Sequence, residues 1–575
     1  MKAWLFSLIP HLMLAPVLVP MAMAAILLLL REERQHTKLV LNVISCAVVL
    51  LVSIYLLQWT HRQSAPTAMG VYLAGNWPAS SGIAMVIDRL AALMLVLTSA
   101  LALMAAIYSS AHWHRAGVNF HALFQLQLMG LNGLFLTGDL FNMFVFVEIL
   151  LAASYGLLLH GSGRARVQAG LHYIAVNLLA SSLLLIGIAM VYGLTGTLNM
   201  AAIASAIPSI AAEDRPLLHV AAGILSVAIL IKAAIWPLNF WLTRAYSAAT
   251  APAAALFAIM TKVGIYLILR LWTLMFGYDA GDSAQYGGQW LIYAGMATLA
   301  VSSIGVLSSQ KLGNLAGYSA IVSSGTLLAA MGFGQNLLTA ALLYYMVSST
   351  LAVSAFFLLA DLLDRWRNDG KDYAPYEEED EAPFLTPDLQ GQLDALNLDE
   401  KEEALVGRVI PAAVAMLGLS FGACTLLIAG LPPLSGFIGK FAMLSAMLNP
   451  LGIGASTGHS PGTEGWLLLG LLVASGLLAL VAFSRAGIRH FWAAHDRNPP
   501  EVKVVEGLPI ALLMACCIAM TVRADDIMRY MQVTANSLYS PDDYINAVLQ
   551  TQPIPYPSQA EGDSLAAPGA QEASE

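Results

Sequence analysis

Long apolar runs separated by short polar breaks dominate this chain. A helix needs about 20 apolar residues to cross a bilayer. Runs of that order cover 9–30, 38–58, 84–108, 118–136, 139–160, 168–193, 217–237, 250–275, 288–308, 314–333 and 337–362. After a hydrophilic interval come 409–445, 465–486 and 507–522. The pattern predicts an all-α polytopic membrane protein of about fourteen transmembrane helices. The run 409–445 is too long for one simple crossing and contains Pro432 and Pro433, so it reads as a broken helix. Pro237, five residues after Lys232, marks a comparable break in the seventh span. Paired interruptions in two halves are the mark of inverted repeats. Spans 4–8 and 9–13 would be the two repeats, with helices 7 and 12 broken.

Four regions follow. Residues 1–362 carry helices 1–11, 363–408 form a hydrophilic insert, 409–525 carry helices 12–14, and 526–575 form a polar tail expected to be disordered. The insert holds five consecutive acids, Glu377 to Glu381, and reads as a solvated cytoplasmic loop. The N-terminal stretch ending in AMA has some features of a signal peptide. Its apolar run continues to Leu30 and is followed by basic residues, which a first transmembrane helix explains better.

Composition agrees: 58% of residues are hydrophobic and 11% charged, against about 25% charged in soluble domains. The net charge of −9 comes largely from the insert. No basic stripe suggests a nucleic-acid partner. The cysteines Cys46, Cys424, Cys516 and Cys517 include no CxxC pair and no Cys/His cluster, so neither an iron–sulfur nor a zinc site is expected. Neither a phosphate-binding GxxxxGK[ST] nor a strand-linked GxGxxG occurs. No cofactor and no catalysed reaction is expected. With the N-terminus outside, seventeen of the 27 Lys and Arg residues fall in cytoplasmic loops and five outside. That asymmetry predicts both termini on the periplasmic side.

The chemistry lies in the charges left within the spans. Glu148, Lys232 and Lys262 sit inside apolar helices, and Lys440 follows the helix-breaking GLPPLSGF. Each costs about 2.5–3.5 kcal/mol on the insertion scale and persists mainly by pairing, by lining a wet path or by moving protons. Glu148 is the only glutamate well inside a span and hence the natural partner of Lys232. A lysine in hydrocarbon keeps its proton while an opposite charge stands near, so a pair that can be made and broken is a proton switch. A static ion pair joining two helices is the plainer alternative. Lys262, about 18 Å into its helix, has no acid near it in sequence. Lys440 suits an exit group or a snorkelling lysine. Asp139 begins the Glu148 helix as a candidate cap, and Asp88 with Arg89 reads as an interfacial pair. His172 is a candidate relay or a structural histidine. Ser319, Ser323, Ser324, Ser348, Ser349 and Thr350 place hydroxyls on spans 10 and 11, where they either carry a water wire from Lys262 to Lys440 or pack helices. Tyr318 joins them as a supporting group.

Five segments occur in order: LFLTGDLFNMFVFVEILLAASYGLLLHG, KAAIWPLNFWL, APAAALFAIMTKVGIYLILR, KLGNLAGYSAIVSSG and AGLPPLSGFIGKF. Together they resemble the antiporter-like subunits shared by multisubunit monovalent cation/proton antiporters (Mrp, Mnh or Pha) and respiratory complex I. The resemblance is greatest to the D-type subunits, Pha branch, over about residues 1–525. It implies fourteen helices with inverted repeats. It also implies proton translocation through Glu148, Lys232, Lys262 and Lys440 in exchange for K⁺ or Na⁺, within a complex of other subunits in the bacterial inner membrane. The alternative is a proton-pumping subunit of complex I or a membrane-bound hydrogenase. Two departures stand out. The His-x-Trp-Leu-Pro pattern common after the helix-7 lysine is replaced by Asn239 to Thr243. The histidine and lysine common on helix 11 are replaced by Ser348 and Ala352.

Overall fold

The computed structural model describes residues 11–63, 68–368, 412–452, 460–492 and 502–554. The acidic run of the insert lies outside them, as do residues 555–575. Among the described residues the fold is almost wholly helical. The first half contains α1 (Ala15–Leu29), α2 (Gln35–Arg62), α3 (Arg89–Ser109), α4 (Phe120–Leu136), α5 (Leu140–Leu159), α6 (Arg164–Thr195), the short α7 (Met200–Ala206) and α8 (Arg215–Lys232). Then come α9 (Leu242–Ala248), α10 (Ala251–Phe257), α11 (Met260–Met275), α12 (Gly288–Ser308), α13 (Leu312–Gly332) and α14 (Asn336–Asn368). The last part holds α15 (Ala412–Ala429), α16 (Ser435–Leu448), α17 (Thr463–Gly487), α18 (Val504–Val522), α19 (Ala524–Leu538) and α20 (Pro541–Leu549). Twelve of the described spans are long and apolar enough to cross a membrane. This makes the chain a multi-pass membrane protein.

Small residues set the closest helix contacts. A Cβ on Gly295 of α12 would lie 2.3 Å from the Ala329 nitrogen of α13. The most buried window belongs to α10–α11, at 94%, whereas α2, α8 and α15 leave much of their apolar surface outward. The helices carrying Lys262 and the serines thus form the centre of the bundle.

Two expected helix breaks are present. Helix α8 ends at Lys232, and Ala234 turns left-handed (φ 56°) before Pro237. Helix α15 ends at Ala429, Gly430 adopts φ 76°, and α16 starts at Ser435 after Pro432 and Pro433. A third interruption falls between α10 and α11, within a run expected to be one helix. There Ile259 N bonds Leu256 O and Lys262 N bonds Ile259 O, one residue tighter than α-helical spacing. Neither Pro nor Gly marks the spot.

Three other expectations need correction. The run at 84–108 does not begin as helix: Ala84–Ile87 forms strand β2, antiparallel to β1 (Gly70–Leu73). Helix α3 starts only where Asp88 caps it, accepting from Ala91 N at 2.8 Å. The tail from 526 is ordered through 554, because α19 buries Met531, Thr534, Ala535 and Leu538 at helical spacing. Helix α20 buries Tyr544 and Val548. Asn76 ties this segment by two bonds with the Ile554 backbone, of 2.7 and 2.8 Å. Last, Asp88 does not pair with Arg89. It forms a buried, two-pronged ion pair with Arg270 of α11, both contacts 2.7 Å, while Arg89 donates to the carbonyls of Thr60 and Gln63.

Candidate functional site

Glu148 occupies the ninth position of α5, held by the Asp139 cap, which accepts from Asn142 N at 2.8 Å. Its side chain is half-buried, and Oε1 is buried without a hydrogen bond among the described residues. Lys232 is the last residue of α8, where the helix end leaves backbone carbonyls unpaired and favours a cation. Its Nζ donates to Ser181 Oγ of α6 at 3.3 Å. Glu148 is the charged neighbour whose field reaches that ammonium, yet no ion pair joins them among the described residues. Lys232 also lines a cleft with Leu150, Tyr173, Asn177, Trp241 and Val263. The pair therefore stands adjacent without being clamped.

The next step is set by a glycine. A Cβ on Gly264 of α11 would lie 2.7 Å from the Ala233 nitrogen, so only a glycine lets α11 press onto the break after Lys232. Two residues earlier is Lys262, 1% exposed, at the tightened turn. Its Nζ donates to Ala320 O at 3.3 Å and Ser324 Oγ at 3.4 Å, both on α13. No acid touches it among the described residues.

From α13 onward, hydroxyls replace charges. Ser323 Oγ meets Ser349 Oγ of α14 at 2.8 Å. Ser348 Oγ meets Ser435 Oγ, the first residue of α16, also at 2.8 Å. A hydroxyl can donate and accept at once, so such pairs can pass a proton with little motion. Lys440, five residues along α16, donates to Ala429 O at 2.9 Å. It sits on the carbonyl end of α15, where the helix dipole favours positive charge. Gly430 makes the room, since a Cβ there would lie 2.6 Å from Lys440 Cδ.

Not every candidate joins this line. His172 is exposed on α6 and bonds its own helix through Gln168 O at 2.9 Å. Tyr318 is half-buried against Gly305 of α12 and makes no hydrogen bond among the described residues. Ser319 and Thr350 bond carbonyls of their own helices. Ala352 is fully buried and offers no polar side-chain atom to the line. Sequence reasoning missed Ser181 and Ser435, whose contacts are long-range, and it missed Arg270. The only signal for Arg270 was a charge in an apolar run, with its acid 182 residues away.

The family model described as NADH:quinone oxidoreductase/Mrp antiporter, TM, matches residues 137–377. A probable K(+)/H(+) antiporter D-type subunit of Rhizobium meliloti is 49% identical over 540 residues, covering 94% of this chain and 97% of that protein. The D-type subunit of the Na(+)/H(+) antiporter of Alkalihalophilus pseudofirmus is 30% identical over 547 residues, covering 94% and 99%. Among solved structures, a chain of the Mrp complex from Dietzia sp. shares the fold with a TM-score of 0.74 at 24% identity, covering 94% of this chain and 99% of that one. A chain of respiratory complex I from Thermus thermophilus shares it at 0.68 and 20% identity, covering 92% and 99%. The chain belongs to the family of D-type cation/proton antiporter subunits, within the membrane subunits common to Mrp antiporters and NADH:quinone oxidoreductase.

Proposed function

We propose that this chain is the proton-translocating subunit of a multisubunit secondary antiporter, exchanging protons for K⁺ or Na⁺ across the bacterial inner membrane. Its partners are the other subunits of that complex. The observation that carries the reading is the ordered set of cations at helix interruptions. Lys232, Lys262 and Lys440 each sit at a break, with Glu148 beside the first and serine pairs between the last two. The 49% identity to a D-type K(+)/H(+) antiporter subunit favours potassium.

The same reading sets the topology. Helices α1 and α4, of 15 and 17 residues, count as crossings beside the twelve longer ones, with α15 and α16 as halves of one. That makes about fourteen, an even number that keeps both termini on the periplasmic side with the 363–408 insert in the cytoplasm. The breaks after Lys232 and before Lys440 correspond in two inverted repeats, spans 4–8 and 9–13.

The geometry supports one route for the proton. Glu148 in its charged form holds the proton on Lys232, and its neutralisation releases that proton toward Lys262. Lys262 passes it through the α13–α14–α16 hydroxyls to Lys440. The test is cation-dependent collapse of a pH gradient in vesicles containing the whole complex, comparing K⁺ with Na⁺. Glu148→Ala or Lys232→Ala should abolish antiport while the complex still assembles. Normal antiport in either variant refutes the assignment.

A further inference from the structure

Helix α2 is built inside out. Its outward face is apolar, with Val40, Ile44, Val48 and Leu51 exposed, while its buried face carries Lys38, Asn42, Ser45, Ser53 and Thr60. In a membrane, an outward apolar face is ordinary, but an inner face this polar needs partners. Helix α4 supplies some of them. Ser45 Oγ donates to Gln125 Oε1 at 2.9 Å, and Gln125 Nε2 donates to Asn42 Oδ1 at 2.6 Å. Asn42 Nδ2 then meets His121 Nδ1 at 3.1 Å.

The last contact fixes the histidine. An amide nitrogen only donates, so Nδ1 accepts and the ring proton sits on Nε2. That Nε2 is buried and has no hydrogen-bond partner among the described residues. His121 is 1% exposed, so its N–H is an orphan donor at the edge of the seam. Such a group is satisfied by water where the surroundings are polar and reachable. They are polar toward the Lys38 end. Lys38, one turn before Asn42, pairs with the half-exposed Glu32 at 2.6 Å. The His114 ring lies 6.0 Å from that of His121. Beyond Ser45 the buried face of α2 presents Val49, which is apolar and fully buried, and only then the Ser53–Ser99 contact. No hydrogen bond among the described residues links this seam to Glu148, Lys232, Lys262 or Lys440.

We propose that the seam between α2 and α4 is a water-binding inlet, reached past the buried Lys38 and its half-exposed partner Glu32 and closed at Val49, separate from the line of lysines. Cys46 is a native reporter within it, fully buried and in contact with Gln125 Nε2 at 3.5 Å. Vesicles of the assembled wild-type complex are treated with a membrane-impermeant, cationic methanethiosulfonate, and each cysteine is read by peptide mass spectrometry. Glu33→Cys, in the exposed turn before α2, identifies the membrane face at the Lys38 end. From that face Cys46 should react roughly tenfold faster than Cys424, which is buried among apolar residues, because only a hydrated thiolate reacts. Asn42→Leu, which dries the seam, should bring Cys46 down to the Cys424 rate while Cys516 is unchanged. Equal rates at Cys46 and Cys424 in the wild type refute the inlet. Equal labelling of Cys46 from both faces refutes the closure at Val49. A failure of Asn42→Leu to assemble leaves both wild-type readouts decisive.

Discussion

The Asp88–Arg270 pair allows a prediction whose size can be worked from the structure. Both carboxylate oxygens take a guanidinium nitrogen at 2.7 Å, with side-chain exposures of 8% for Arg270 and 7% for Asp88. Arg270 also lies over the rings of Tyr266 at 5.6 Å and Tyr544 at 5.3 Å, the latter from α20. The informative variant is Asp88→Asn. Asparagine still accepts from Ala91 N and so keeps the α3 cap, which by itself is worth about 1 kcal/mol. What goes is the negative charge opposite a buried guanidinium. Removing one member of a buried pair destabilises by about 3–5 kcal/mol, because the other is left uncompensated. The two flanking rings offset part of this, by about 1 kcal/mol together, so a loss of roughly 3 kcal/mol is expected. The double variant Asp88→Asn/Arg270→Met removes the stranded charge and should recover at least about half of that loss. The assay is equilibrium unfolding of the purified chain in mixed micelles, followed by circular dichroism. A loss under about 1 kcal/mol for Asp88→Asn, or a double variant no more stable than the single, refutes the reasoning. Arg270 shares α11 with Lys262, so the same variant should also lower antiport in vesicles.

Other expectations concern the line of polar groups. Ser348→Ala and Ser323→Ala should each slow proton-coupled cation exchange, and replacing both should slow it further; unchanged rates in the double variant would remove the hydroxyls from the path. His172→Leu should leave exchange untouched, since the imidazole faces outward and bonds only its own helix; a lost gradient response would contradict that placement. Gly430→Ala should impair exchange and stability together, because it forces a side chain into φ 76° and against Lys440. The left-handed conformation alone costs about 1–2 kcal/mol, readable as a lowered unfolding midpoint in detergent.

The sequence revealed most where a residue contradicts its surroundings. A lysine in ALFAIMTKVGIYL has few explanations, so Glu148, Lys232, Lys262 and Lys440 were legible as a candidate set before any contact was known. The two proline-marked breaks were legible for the same reason, since Pro237 and Pro432–Pro433 cannot continue a helix. The tightened turn before Lys262 was not, because AIM carries no such mark and tertiary packing decides it. Arg270 stood in an equally apolar run, but its partner Asp88 was assigned to the adjacent arginine. Local adjacency is a poor guide when a helix cap and a long-range ion pair compete for one carboxylate. The C-terminal segment failed differently. Its overall polarity hid the period of Met531, Thr534, Ala535 and Leu538, which is enough to dock α19 on α14.

The stretch from Lys262 to Lys440 is where the structure adds most. The stretch runs past Ser348 and Ala352, and Ala352 contributes no polar side-chain atom. What the fold supplies instead is one hydroxyl from each side of two successive helix contacts, Ser323–Ser349 and then Ser348–Ser435. Ser348 and Ser349 are neighbours in the chain but face different partners, one toward α16 and the other toward α13. That divergence is possible because consecutive residues on a helix point about 100° apart. Adjacent serines can therefore serve two interfaces from one turn of α14. A charged relay would leave a second cation in the same dry centre as Lys262. On the proposed route, the hydroxyls avoid that repulsion, at the expense of a proton carrier that holds no charge of its own.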